Sequence, residues 1–389
     1  MDIDELCSRI DTVDADLHAF VAEPGRRDRL LREMGEHPLP IGVKDVIHVA
    51  GLPTAAGSNL PPDVLTGDEA PVVTRLKEHG ALVVGKTVTA EFAFQAPGET
   101  RNPHNRNHTP GGSSSGSAAA VAAGLVPAAL GTQTVGSVIR PAAFCGIVGF
   151  KPTYGRISTE GVIANAPSFD TVGVLAASVG WVERVAAIAC AGWTPAAAEG
   201  RPVLAVPIGA YLDQTEPEAR VAFFEQVNAL RDKGFEVREV PALDDIEVVA
   251  ARNRTINLYE LARVHERWFD SFASLYEART ATGVREGRKI ATDEYEAALR
   301  DRERYAEELV AGMDAFDVWV APSAPGPAPD SLATTGNATM NLPWTQARLP
   351  VVGLPAGKLD GLPLGLQFVA RPHHDEQLVA WAAELSRSL

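Results

Sequence analysis

From Ser117 to Leu130 the chain reads SAAAVAAGLVPAAL, a stretch almost free of large side chains. Such a segment predicts a helix packed so closely against its neighbours that only alanine and valine fit. Packing of that kind needs a large core around it. With 389 residues, 46% hydrophobic and 22% charged, the composition is that of an ordinary globular protein. Gly 34 and Pro 28 fall well short of low-complexity content, which excludes disorder for most of the chain.

Around this segment strands and helices alternate. Residues 1–35 are charged and read as helical. IGVKDVIHV at 41–49 predicts a strand holding one lysine among β-branched residues. APVVTRLKEH at 70–79 has helical spacing, and ALVVGKT follows as a short buried strand. Residues 95–116 form a long Gly/Pro/Asn/Ser loop, and loops of that length are usually functional. GTQTVGSVIRPAAFCGIVGFKPT predicts a glycine-rich turn followed by an apolar strand. Residues 195–335 change character towards charged, amphipathic helices. The tail predicts a hairpin around Leu359–Gly361 and a last helix. The alternation points to an α/β fold, a mixed, mostly parallel sheet with helices on both faces. With no repeat and no linker in view, one domain over 1–389 is expected. It would have a core of about 40–190 and 340–389 and a variable helical segment at about 195–335.

A net charge of −15 repels phosphate backbones and anionic lipid, so neither nucleic acid nor a membrane is an expected partner. No apolar run is long enough for a membrane helix. The acidic start, MDIDELCSRIDTVDADLHAF, lacks the marks of a signal peptide. Cys7, Cys145 and Cys190 are odd in number and widely spaced, which suits a reducing, cytoplasmic compartment.

Three motifs invite readings that their contexts oppose. GALVVGKT at 80–87 has the phosphate-loop spacing, but its middle residues want a buried strand. GSSSG at 112–116 has the nucleophile-elbow pattern centred on Ser114, yet a Pro/Asn loop precedes it where the elbow requires a strand. His104 and His108 have helical metal spacing inside a segment that prolines keep from being helical.

Three other segments are poorly explained by structure alone. Lys44 lies in an apolar strand; a lysine there snorkels to water or, if buried, loses its proton easily and can act as a base. The segment TPGGSSSGSAAAVAAG holds more serines than one helix cap needs. Ser137 follows small residues whose N–H groups can converge to hold a developing oxyanion.

Together these segments resemble the amidase signature family. The match runs through GVKDVIHVAGLPTAAGS, VVGKTVTAEFAF, TRNPHNRNHTPGGSSSGSAAAVAAG, GTQTVGSVIRPAAFCGIVGFKPTYGRIS and SFDTVGVLAASV, and resumes at LPVVGLPAG and GLPLGLQ. The Gly/Ser segment, at its distance from the second serine and with a strand lysine upstream, makes the resemblance specific.

The resemblance implies a Ser–Ser–Lys triad. Ser137 would be the nucleophile that forms an acyl-enzyme. Ser113, after a cis peptide bond at Gly112–Ser113, would be the bridging serine, and Lys44 the general base. The backbone N–H groups of Thr134, Val135, Gly136 and Ser137 would form the oxyanion hole. Ser115 and Thr132 would hold the Lys44 ammonium. Arg140 and Asp170 would form a buried pair, unless Arg140 meets an acidic substrate. Val135 stands where the family usually has glycine, and would be strained if that position needs φ > 0. Gln133 stands where aspartate is commoner.

The implied activity is hydrolysis of a carboxylic amide to acid plus ammonia or amine, with esters and carbamates as further substrates of the same machinery. Two alternatives stand beside it. One is the glutaminase subunit of a tRNA-dependent amidotransferase, which would favour a longer chain and aspartate at 133. The other is a non-catalytic binding homologue. No cofactor or metal is implied. The expected partner is a small-molecule amide, with a homodimer left open. Phe94, Trp344 and residues within 255–275 are candidates for the pocket lining.

Overall fold

The computed structural model describes residues 2–198 and 200–389; Met1 and Glu199 lie outside the described residues. In chain order the strands are β1 (Leu39–Lys44), β2 (Ala81–Thr87), β3 (Ala128–Gln133), β4 (Val148–Lys151), β5 (Thr171–Ala176), β6 (Leu204–Ile208), β7 (Val237–Pro241), β8 (Val318–Pro322), β9 (Val351–Leu359) and β10 (Leu362–Val369). They join one sheet in the order β2-β1-β3-β5-β4-β9-β10-β8-β6-β7.

The sheet is mixed and helix-covered, as expected for an α/β chain, but parallel pairing is confined to its two ends. β1 pairs in parallel with β2 and β3, and β6 with β7 and β8. The pairings between are antiparallel. Connection length explains part of this: β9 and β10 are joined by Asp360 and Gly361 at φ 51 and φ 80, and a two-residue turn of that kind forces an antiparallel hairpin.

Helices Ser115–Ala122 and Ile139–Cys145 pack on one another and on the sheet. Helices Pro71–Glu78, Val179–Ala189 and Asp375–Leu385 form a second layer. The small-residue run explains itself here. Ala118, Ala119 and Ala120 are fully buried, and a Cβ at Gly116 would collide with the Ala19 carbonyl and the Val88 backbone.

Several sequence expectations need correction. The run from Ser117 to Leu130 is not one helix: the helix stops at Ala122, and Ala128 opens β3. Gly124, at φ +68, and Pro127 interrupt it. The segment after Ser137 begins with a helix, not a strand. The strand predicted over 41–49 ends at Lys44, where the Ile47 N–H turns back to the Lys44 carbonyl at 2.9 Å. The segment 195–335, expected to be helical, also supplies β6, β7 and β8 at one end of the sheet. Leu204, Ala205 and Val206 in β6 are buried, in a run too short and apolar to show amphipathic spacing.

Candidate active site

β1 and β3 are parallel neighbours, with Ile41–Val43 of β1 beside Ala128–Leu130 at the start of β3. Lys44, the final residue of β1, is fully buried. Its Nζ lies 2.7 Å from Ser113 Oγ, 2.7 Å from Thr132 Oγ1 and 3.4 Å from the Thr132 carbonyl. All three partners are neutral. Burial therefore dominates, and pushes the Lys44 ammonium down to about 7, although the Asp170 charge pulls the other way. A lysine in this state can take a proton from a hydroxyl at near-neutral pH.

Ser113 follows a cis Gly112–Ser113 peptide bond. The next residue ties this segment to the turn after β3, because the Ser114 N–H donates to the Ser137 carbonyl at 3.4 Å. The Ser114 hydroxyl is spent on β3, at 3.2 Å from the Thr132 carbonyl and 3.3 Å from its N–H. That occupation explains a serine at the centre of the elbow-like motif without giving it a reactive role. Lys86, from the phosphate-loop-like motif, is likewise accounted for. It lies in β2 and pairs with buried Asp45 at 2.8 Å. His104 and His108 each meet a backbone carbonyl, of Cys145 and Ala328.

The turn from Thr134 to Ser137 lines a cavity of about 410 Å³. Among the described residues, none of the four N–H groups from Thr134 to Ser137 has a protein acceptor, whereas those of Val138 and Ile139 both donate to Gln133 Oε1, at 2.9 and 3.1 Å. Gln133 thus pins the start of helix Ile139–Cys145 from the strand side. The Thr134 hydroxyl donates to Asp170 Oδ1 at 2.5 Å, and its carbonyl accepts from Thr345 Oγ1 at 2.9 Å. A Cβ at Gly136 would run into the Asn341 side chain, so that position must stay small. Val135 is half-buried at the cavity, and its φ lies outside the left-handed region, so valine is unstrained there. Ser137 is 8% exposed and faces the same space.

Two supporting roles need correction. The Ser115 hydroxyl donates to the Val88 carbonyl at 3.3 Å, and Thr132 is the side-chain partner of Lys44 besides Ser113. Local packing explains this: Ser115 opens a helix that packs against β2, and Val88 is the residue that follows β2. Arg140 and Asp170 do not pair. Arg140 reaches the Gly112 carbonyl at 2.6 Å, the Gly336 carbonyl at 3.0 Å and Thr335 Oγ1 at 3.1 Å. Asp170 instead accepts the N–H groups of Asn165 and Ala166, at 2.8 and 3.0 Å, and burial pushes its carboxyl up to about 7.

Phe94, Asn257 and Leu258 line the cavity as anticipated, but Trp344 is buried away from it with its Nε1 on the Tyr211 hydroxyl. Asn253, Arg254 and Arg279, with the loop 334–339, also line it and were missed from sequence. A signal existed for Asn253 and Asn257. They are polar residues one turn apart on the face of helix Ile246–Val264 that also buries Val249 and Ile256.

The Amidase family pattern spans residues 3–379. A glutamyl-tRNA(Gln) amidotransferase subunit from Roseiflexus sp. (strain RS-1) is 34% identical, over 97% of this chain and 90% of that protein. Among solved structures, an amidase superposes with a TM-score of 0.90 at 32% identity, covering 100% of this chain and 95% of the other. The peptide amidase of Stenotrophomonas maltophilia gives 0.82 at 28% identity, covering 99% and 92%. With the family pattern matched across nearly its whole length, the chain belongs to the amidase family.

Proposed function

We propose that this amidase hydrolyses a linear carboxylic amide through an acyl-enzyme on Ser137, with Ser113 relaying a proton to Lys44. The observation that carries the reading is the short contact between a fully buried lysine and Ser113. In the first step the Ser137 hydroxyl loses its proton by way of Ser113 to neutral Lys44, and its oxygen attacks the amide carbonyl. The N–H groups of Thr134 to Ser137, without a protein acceptor among the described residues, receive the oxyanion. The proton held on Lys44 returns through Ser113 to the departing nitrogen, which leaves as ammonia or amine. Water then attacks the acyl ester by the same route in reverse and frees the acid. Thr132 steadies the ammonium while it is charged. Esters and carbamates present the same carbonyl to the same groups.

The partner in this reading is a small-molecule amide. The place of action is the cytoplasm, which the free cysteines suit. Among the described residues no helix is long and apolar enough to cross a membrane. A fluorophosphonate probe should label the protein on Ser137, and Ser137→Ala should abolish both labelling and amide turnover while the melting temperature holds. An adduct on Ser114 in place of Ser137 would overturn the assignment.

A second reading is favoured by the names of the relatives at 31–34% identity, which are amidotransferase subunits. In it the same chemistry releases ammonia from glutamine inside a complex. Co-purification of the chain with further subunits from its native cells, together with a glutamine preference, would select this reading over the free amidase.

A further inference from the structure

Among the described residues, the charged side chains that line the Ser137 cavity are all of one sign. Arg140, Arg254 and Arg279 line it and no aspartate or glutamate among the described residues does, although the chain has 50 acidic residues against 35 lysines and arginines. The three arginines differ in how far their charge is spoken for. Arg254 donates to Glu286 at 2.5 Å, so much of its field is cancelled. Arg140 is clamped by the Gly112 and Gly336 carbonyls and holds the segment that carries Ser113. It adds positive potential but is committed to the scaffold. Arg279, exposed at the start of helix Ala278–Gly287, is held by the Ala333 carbonyl at 2.7 Å and the Gln95 carbonyl at 3.5 Å. Carbonyls fix a guanidinium in place without neutralising it.

Beside these charges stands an uncommitted donor. Asn253 is 6% exposed on the same cavity wall, and its Nδ2 has no hydrogen-bond partner among the described residues. A buried donor left in this state is costly unless a ligand supplies the acceptor. The wall therefore offers donors and positive potential without a carboxylate. An ammonium group would find repulsion there. An ionised carboxyl, which only accepts hydrogen bonds, finds complementary groups.

We infer that the amide substrate carries a second, ionised carboxyl group away from the scissile bond, and that Arg279 selects for it with Asn253 donating alongside. This rests on the amidase reading given above and narrows it to half-amides of dicarboxylic acids and their close analogues. Arg279 and Asn253 are specificity residues; the bond-breaking groups are elsewhere.

The experiment compares a matched pair, glutaric acid monoamide and pentanamide. For the wild type the ratio of kcat/KM should favour the half-amide by about tenfold or more, as expected of a charge-assisted contact. Arg279→Ala should reduce that ratio about tenfold, and Arg279→Lys should restore part of it. A loosened wall would lower both substrates together and leave the ratio unchanged, so an unchanged ratio overturns the inference. So does a wild type that prefers pentanamide, and in both cases the amidase reading survives. If neither amide is turned over, titration calorimetry of glutarate into Ser137→Ala decides the anion site independently. Glutarate binding weakened by adding Arg279→Ala supports the inference, and no binding, or binding indifferent to Arg279, overturns it.

Discussion

The two walls of the cavity are built on different terms. One, formed by Thr134–Ser137 and Arg140, works through backbone N–H groups and short hydroxyls. These are set by the ends of strands and helices packed at zero exposure, as at Lys44 and Ala118–Ala120. The other, formed by one face of helix Ile246–Val264, the start of helix Ala278–Gly287 and the loop 334–339, works through long side chains. A backbone donor survives substitution of its own residue and constrains everything around it. A side-chain donor is lost with one codon. The first wall therefore fixes a reaction and the second selects what undergoes it. Substitutions on the first should cost turnover, and those on the second should redistribute it among substrates.

The largest effect that could break this division is at Lys44. Lys44→Met, close in volume, should lower kcat/KM by about 10²–10⁴-fold, the usual worth of a general base, with more lost if nucleophile activation fails as well. The pH profile tests the same group without mutation. A base works when unprotonated, and burial brings Lys44 to about 7. The wild-type rate should thus rise with pH through about 7 and then level off. Asp170 raises the Lys44 pKa by its charge. Asp170→Asn should accordingly move the inflection to lower pH in whatever activity remains. A rate that falls between about pH 6 and 9 on a stable protein would contradict a lysine base.

A smaller effect is expected at Gln133, which acts on the reaction wall only by positioning it. Its Oε1 is the acceptor for two buried N–H groups. Gln133→Leu orphans both, at about 1–3 kcal/mol each, and frees the turn that holds the four oxyanion donors. Losing one such donor outright costs about 2.7–4 kcal/mol of barrier, so a loosened turn should lower kcat by about tenfold or more with KM nearly unchanged. Gln133→Glu keeps the acceptor and should recover most of kcat. Equal losses in both variants, or a loss confined to melting temperature, would reduce Gln133 to a structural residue.

The contrast between the walls also explains what could be read from sequence. Ser113 and Ser137 stand out in the sequence as candidates because small residues at fixed spacing have few structural excuses, as Gly116 and Gly136 admit no Cβ. Lys44 stands out as a lysine in an apolar strand, and Thr132 enters only through the resemblance. The helix Ile139–Cys145 was hidden by its apolar, proline-containing run IRPAAFC, every residue of which is buried, so no polar face marked it. The wrong pairing of Arg140 with Asp170 has a related origin. Opposite charges in two neighbouring matched segments suggest each other, but both are satisfied by backbone groups that sequence does not display. Arg279 left no trace of its role. It is an exposed arginine in a charged helix, and only the fold brings it to the cavity beside the carbonyls of Gln95 and Ala333.

The smallest expected effect sits where the two walls meet, at Val135. It belongs to the donor turn by its N–H and to the pocket by its side chain, which is half-buried at the cavity. Its φ is ordinary, so glycine relieves no strain. What Val135→Gly changes is space and stiffness. Removing the isopropyl group should widen the acyl side, and the amide N–H stays in place on its backbone. The flexibility of glycine costs about 0.5–1 kcal/mol, which should lower the melting temperature only slightly. The variant should therefore accept bulkier acyl groups, with kcat/KM for them rising relative to small amides and leaving-group preference little altered. Were Val135 a core residue, the variant would lose several degrees of melting temperature and gain no acyl range. Measuring both on one protein separates the cases. A large thermal loss with an unchanged acyl profile would show that this side chain serves packing alone, and that the boundary between the walls lies at Gly136 instead.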